Sequence, residues 1–295
     1  MLAEYLLPRA RLLKIMILGL LGSFILSGVL SSIPVHVISS RYGKNNFYED
    51  LCSLLGLWTG LLITSAYAMH AVNKSRVSAT AAGLSEIPSG IGKNITGNQG
   101  SISGRDISVD SGRSPLDDSK KANNFFLRLT SFYGYRLRPI DIPLGIILGV
   151  VCQLYLTRIF TWPLSFFVHN LSKKISVPAN NLLHNLSHAE VIVMGLLVCL
   201  GSPLVEELFF RGLAQLSFAD AFVGTGKFVR AFFTIVLTAG LFGLAHFEPL
   251  EFTALFGFGI VLGTAAWLTK RLGLGIVSHI SFNTLAYVVV ARGHF

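Results

Sequence analysis

The sequence predicts an all-α protein, a polytopic transmembrane bundle of seven or eight helices. Three observations carry that prediction. Of the 295 residues, 52% are hydrophobic and 13% charged, whereas a soluble domain carries about 25% charged residues. The mean hydropathy is +0.62. Several apolar stretches also reach the roughly 20 residues a helix needs to cross a hydrocarbon core about 30 Å thick.

The first stretch, residues 15–37, follows Arg9, Arg11 and Lys14. It exceeds the roughly 7–15 apolar residues of a secretory signal, so it reads as a retained anchor. The basic flank places the N-terminus in the cytoplasm. The second stretch is 51–72. Residues 74–124 then turn rich in Ser, Gly and Asn and include Lys74, Arg76, Lys120 and Lys121. Such a segment cannot bury enough apolar area to offset its ordering entropy, so a disordered cytoplasmic loop is expected.

The third stretch is 140–160. Trp162, Phe166 and Phe167 close it as an interfacial aromatic belt, and the polar region 169–189 suits a short helix lying in the membrane surface. Residues 191–210, 228–247, 252–268 and 274–290 complete seven crossings, and 213–223 would make an eighth if separate. Within the sixth of the seven, Gly259 and Gly263 form a small-xxx-small packing face. Cys52, Cys152 and Cys199 each lie in an apolar span and are expected to be unpaired packing residues. The net charge of +9 fits cationic cytoplasmic loops and gives no reason to invoke nucleic acid. The chain therefore divides into a helix pair (1–73), a loop (74–124), a helix with an interfacial segment (125–190) and a C-terminal bundle (191–295).

Ionisable groups inside membrane spans are costly and usually face a bundle interior, so each is a candidate functional residue. Three clusters qualify, all in the C-terminal bundle. In the first, Glu207 and Arg211 are four apart on one helix face, the favourable acid-before-base order. Glu206 is rotated about 100° away and stays available as a base. The second is His246, late in an apolar helix. In the third, His279 and Asn283 share a helix face, and both can donate hydrogen bonds to a developing oxyanion. No Ser or Cys nucleophile stands beside a base, so direct attack by water is favoured over a covalent intermediate.

The run Glu206-Glu207-x-x-x-Arg211, then Phe242-x-x-x-His246, then His279-x-x-x-Asn283 resembles the signature of the CAAX protease and bacteriocin-processing family. That group includes the type II CAAX prenyl endopeptidases, and its domain is also called Abi or lysostaphin-resistance-like. The resemblance covers residues 191–287. It implies an α-helical intramembrane endopeptidase in which Glu206 and His246 activate water and His279 and Asn283 hold the oxyanion. Glu207 and Arg211 would support them. The family has also been described as metal-dependent, in which case Glu206, His246 and His279 would hold zinc; imidazole and carboxylate suit that ion. No HExxH spacing occurs, and the reading adopted needs no cofactor.

The expected partners are the lipid bilayer and a peptide or membrane-protein substrate, and the expected location is the plasma membrane. Two other classes use the same residues differently. A proton-coupled transporter would string Glu206, His246 and His279 into a relay, although the inverted repeats common in such proteins are not evident. A non-catalytic scaffold or immunity protein would keep the bundle without the chemistry. One constraint opposes the catalytic reading: with a single span between them, His246 and His279 should lie toward opposite membrane faces.

Overall fold

The computed structural model describes residues 9–37, 46–81 and 133–293. These form eight helices: α1 Arg9–Val37, α2 Asn46–Ala81, α3 Asp141–Ser165, α4 Leu171–Leu183, α5 His188–Ala221, α6 Lys227–Leu244, α7 Phe252–Thr269 and α8 Gly273–Ala291. No strand occurs among the described residues. Seven of the helices are long and apolar enough to cross a membrane, and α4 is not. The protein is thus an all-α, integral membrane bundle.

Two expectations about boundaries change. Residues 213–223 are no separate crossing, because α5 runs on without a break to Ala221; the polar groups there are buried among other helices and do not end it. Helix α2 continues past Lys74 to Ala81, so the Ser/Gly-rich segment begins as helix. The remainder of the loop expected over 74–124 lies outside the described residues. The polar region 169–189 does contain a helix, α4, with its own amphipathic pattern. The three cysteines are free.

Bilayer lipid offers no hydrophobic drive for helices to associate, so small residues that allow close approach decide the pairings. Helices α1 and α2 meet along such a stripe. Gly19 faces Thr64, Ser23 faces Gly60, and Ser27 Oγ donates to the Ser53 carbonyl at 2.8 Å. An added Cβ at Gly60 would collide with Ser23. Helix α3 packs on α8 through Gly145 and Gly149, which face Val277, Ser278 and Ser281. Gly259 of α7 lies against Ala239 of α6, and the Gly263 carbonyl accepts from Gln215 Nε2 at 3.0 Å. The small-xxx-small face of α7 is therefore used for packing.

Helix α5 lies at the centre, in contact with α1, α2, α6, α7 and α8. Its 34 residues make it about 51 Å long at 1.5 Å per residue, well beyond a hydrocarbon core of about 30 Å. Glu206 lies near its midpoint. Two π-helical turns, Leu197–Gly201 and Leu208–Ala214, bracket the Ser202–Glu207 segment. Such turns redirect side chains locally and collect at functional sites.

The segment Tyr133–Ile140 fastens one end of this bundle. Tyr133 Oη donates to the Ser65 carbonyl at 2.7 Å, and Tyr135 Oη to the Leu204 carbonyl at 2.6 Å. The Leu272 amide donates to the Gly134 carbonyl at 3.0 Å. Gly134 adopts φ 75° there, a backbone conformation a side chain would strain. Asp141, 1% exposed, pairs with Arg271 and accepts from the Arg138 amide at 2.8 Å.

Breaking a buried pair strands its partner's charge, which costs about 3–5 kcal/mol. Asp141→Ala should therefore lower the thermal unfolding midpoint in detergent clearly. Asp141→Ala combined with Arg271→Ala should cost less than the sum of the singles. Strict additivity would show that the pair is not coupled.

Candidate active site

The site grows out of one buried carboxylate. Glu207 on α5 is fully buried, and its Oε1 accepts from Arg211 Nη1 at 2.7 Å and from His279 Nδ1 at 3.0 Å. The spacing of four residues on α5 brings the guanidinium onto the carboxylate, and the guanidinium also lies over the Phe242 ring, 4.4 Å from its centroid. Arg211 and His279 are themselves almost wholly buried. Phe242 and Phe258 close round the imidazole with ring centroids 5.6 and 5.5 Å from it. In that dry surrounding the Glu207–Arg211 pair is electrically balanced, as a buried ion pair must be.

Glu206 sits on the wetter side of the same helix turn. Its Oε2 is 3.9 Å from His246 Nε2 and 3.9 Å from His279 Nε2, and it accepts no hydrogen bond from the protein. Both imidazoles have their other nitrogen tied off. His246 Nδ1 donates to the Phe242 carbonyl at 2.8 Å, and His279 Nδ1 donates to Glu207. A neutral imidazole carries one proton. With Nδ1 donating, a neutral His246 turns an Nε2 lone pair toward Glu206, and His279 presents its Nε2 to the same carboxylate.

Asn283, one turn beyond His279 on α8, gives an Nδ2 proton to the Val198 carbonyl at 3.0 Å. The reason lies in the sequence of α5. Across the π turn, the Ser202 amide bonds back five residues to the Leu197 carbonyl. Continuing that register would pair Val198 with residue 203, which is Pro203 and has no N–H. Asn283 supplies the donor that the proline lacks.

All six residues singled out in the sequence thus meet at the α5–α6–α8 junction. Glu206, His246 and Asn283 line one cavity, and Glu207, Arg211 and His279 back it. The cavity holds about 440 Å³. The opposed-face difficulty is resolved from both ends. His246 lies two residues past the end of α6 and hooks back onto its final turn, whereas His279 lies nearly two turns inside α8.

Other contributors were not read from the sequence. Leu20, Phe24, Leu54, Leu57 and Leu61 bring α1 and α2 to the cavity wall, and Glu251 stands at its edge. Glu248 and Glu251 interrupt an apolar sequence between two spans, and that alone could have flagged them. Burial, with the Glu248 charge adding to it, pushes the Glu251 carboxyl from its ordinary 4.5 up to about 7. Zinc would suit the donor types of Glu206, His246 and His279, but among the described residues no three such groups gather closely enough to hold an ion.

Comparison with known families finds a match over residues 188–285, to the model described as type II CAAX prenyl endopeptidase Rce1-like. The matched segment contains every one of the six site residues. No curated protein and no solved structure matches. The resemblance seen in the three motifs is accordingly borne out as a match of residues 188–285 to that family's model.

A folded-state carboxyl raised above its unfolded value confers stability below about pH 4.5 that is lost as pH rises through about 7. The thermal midpoint should therefore fall across that window, and Glu251→Gln should flatten the fall. Parallel curves for the two proteins would remove Glu251 as its source.

Proposed function

We propose that the protein, whose residues 188–285 match an Rce1-like family model, is an intramembrane endopeptidase hydrolysing peptide bonds of membrane-associated substrates with water activated by Glu206 and His246. The observation that carries this reading is the Glu206 carboxylate flanked by two imidazole Nε2 atoms, each 3.9 Å away. A gap of that width admits one water at ordinary hydrogen-bond length, about 2.8 Å, from both Glu206 and His246. Both are acceptors there, so the water's protons point at the groups that would take one.

In the reaction, the water oxygen attacks the carbonyl carbon as its proton passes to Glu206. The carbonyl oxygen becomes an oxyanion. The second Nδ2 proton of Asn283 serves as one donor to it. His279 serves as the other, but only as imidazolium, because its Nδ1 proton is committed to Glu207. Glu207 orients that ring and Arg211 balances Glu207, so the cationic charge of His279 answers Glu206 before attack and the oxyanion after it. Collapse breaks the C–N bond while the proton held by Glu206 passes to the departing amine. The products are a carboxylic acid, whose proton then passes to the amine or to solvent water, and an amine, and Glu206 is again ionised.

This reading routes no step through a metal. By analogy with the family the substrate is a peptide or a membrane-protein segment, prenylated C-termini included. The basic residues Arg9, Arg11 and Lys14 favour a cytoplasmic N-terminus and fit a plasma-membrane protein.

The test is cleavage of quenched peptides, prenylated and not, by purified protein in detergent. Glu206→Gln should lower turnover by about 10²–10⁴-fold, the usual worth of a positioned general base. Asn283→Ala should lower kcat by about 10²–10³-fold, the worth of one oxyanion donor. His246→Ala should act as Glu206→Gln does. Activity that survives a zinc chelator agrees with the glutamate mechanism, and loss on chelation points to a zinc-dependent peptidase. Absence of cleavage by well-folded wild type would favour the transporter or scaffold reading.

A further inference from the structure

The cavity beside Glu206 has two unlike halves. One, from α5 and α8, sets Glu206, Ser202, Asn283 and Tyr287 among apolar residues of the same helices. The other, from α1 and α2, presents only Leu20, Phe24, Leu54, Leu57 and Leu61. The second half lies wholly outside the segment that matches the family model, 188–285. Among the lining residues there is no lysine or arginine, and the charged groups are Glu206 and Glu251.

The apolar half is also attached to the reacting half. Phe247, the residue after His246, adopts φ 54°, a conformation that costs a non-glycine residue about 1–3 kcal/mol unless its surroundings hold it. Its ring packs edge-on against Phe24 of α1, with centroids 4.8 Å apart. Helix α1 therefore forms a wall of the cavity and also holds the turn that presents His246.

We propose that α1 and α2 form the selecting half of the substrate site, taking an uncharged, apolar stretch of a membrane-embedded peptide beside the bond to be cut. This deepens the peptidase reading and rests on it for the place of the scissile bond. A peptide fits both halves at once. Its amide groups match the polar side, and its apolar side chains fill the leucine side. An acyl chain alone would leave the buried polar groups of α5 and α8 unmatched, at a cost. A carboxylate in this stretch would be desolvated beside the Glu206 carboxylate, with no lysine or arginine among the described lining residues to answer it, so acidic residues are disfavoured.

Binding can be read without cleavage, using full-length protein carrying His246→Ala, which keeps both Glu206 and Glu251, in detergent. Three fluorescent eight-residue peptides would differ only at the residues flanking the central bond: phenylalanine, alanine or aspartate. The phenylalanine peptide should bind most tightly and the aspartate peptide least. Leu57→Trp, which fills the cavity, should weaken binding of the phenylalanine peptide by about tenfold, the scale on which apolar pockets discriminate. Its effect on the alanine peptide should be smaller. Leu57→Ala should shift preference further toward the bulkier peptide. Leu55→Trp, on the exposed side of the same helix, should change nothing.

Equal binding by Leu57→Trp and Leu55→Trp proteins of equal thermal stability would overturn the proposal. Tight binding of the aspartate peptide would overturn it too, as would displacement of the phenylalanine peptide by an equimolar unbranched acyl amide. The two readings fail separately. Leu57-dependent binding by a protein whose wild type cuts nothing would remove the peptidase and leave the selecting half. Cleavage indifferent to Leu57→Trp would do the reverse.

Discussion

The arrangement of the site depends on one fully buried carboxylate oxygen. Glu207 Oε1 is the single acceptor for Arg211 on its own helix and for His279 on α8. In a dry interior neither the carboxylate nor the guanidinium is tolerable alone, so each fixes the other. The imidazole is then set by geometry: its Nδ1 faces Glu207 and its Nε2 faces Glu206. The packing round this centre leaves little slack. An added Cβ on Gly275 would crowd Glu207 Oε2, and Phe242 is pinned between the guanidinium and both imidazoles. Two adjacent glutamates thereby stand in different surroundings, Glu207 in the aromatic core and Glu206 at the cavity.

A second tie between α5 and α8 has a backbone origin. The π turn before Ser202 shifts the hydrogen-bond register by one residue, and Pro203 then leaves the Val198 carbonyl without an amide partner. Asn283 fills that place from α8. His279 and Asn283 are four apart, so the two ties lie on one face of α8, one to a side chain and one to the main chain of α5. A third restraint comes from outside the membrane-crossing core, where Tyr135 donates to the Leu204 carbonyl within the Ser202–Glu207 segment. Glu206 is thus held on a helix whose first π turn is answered by a partner from α8, which is how local strain persists in a packed structure.

Much of this was legible because helix periodicity and apolar length act over a few neighbouring residues. The seven spans, the Glu207–Arg211 pairing and the common face of His279 and Asn283 all follow from spacing alone. The meeting of Glu206 with His246 does not. It depends on the turn after α6 folding back on Phe242 and on the depth of His279 in α8, which are tertiary facts. Likewise the short stretch 213–223 has the length of a separate element, and only packing reveals it as the end of α5. The α1–α2 seam had a readable signal in Gly19, Ser23 and Ser27 opposite Gly56, Gly60 and Thr64, small residues at intervals of four. Its relevance to the site was not readable, because nothing in a helix pair remote in sequence tells which cavity it borders.

That remoteness bears on how chemistry and selection are divided. The groups that can move protons are all within one matched segment, on α5, α8 and the end of α6, locked together by a buried ion pair and a main-chain tie. Any change there disturbs a network in which Glu207 ties Arg211 to His279 and Asn283 is tied to the main chain. The leucines of α1 and α2 serve no such network. Their side chains meet the cavity by dispersion and shape alone, so one may be exchanged for another apolar residue at small cost. The helix pair also holds itself together through its own small-residue seam, independent of the reacting centre. A wall of that kind can be reshaped while Glu206, His246, His279 and Asn283 stay where they are, provided that contacts such as Phe24–Phe247, where the two halves meet, are kept.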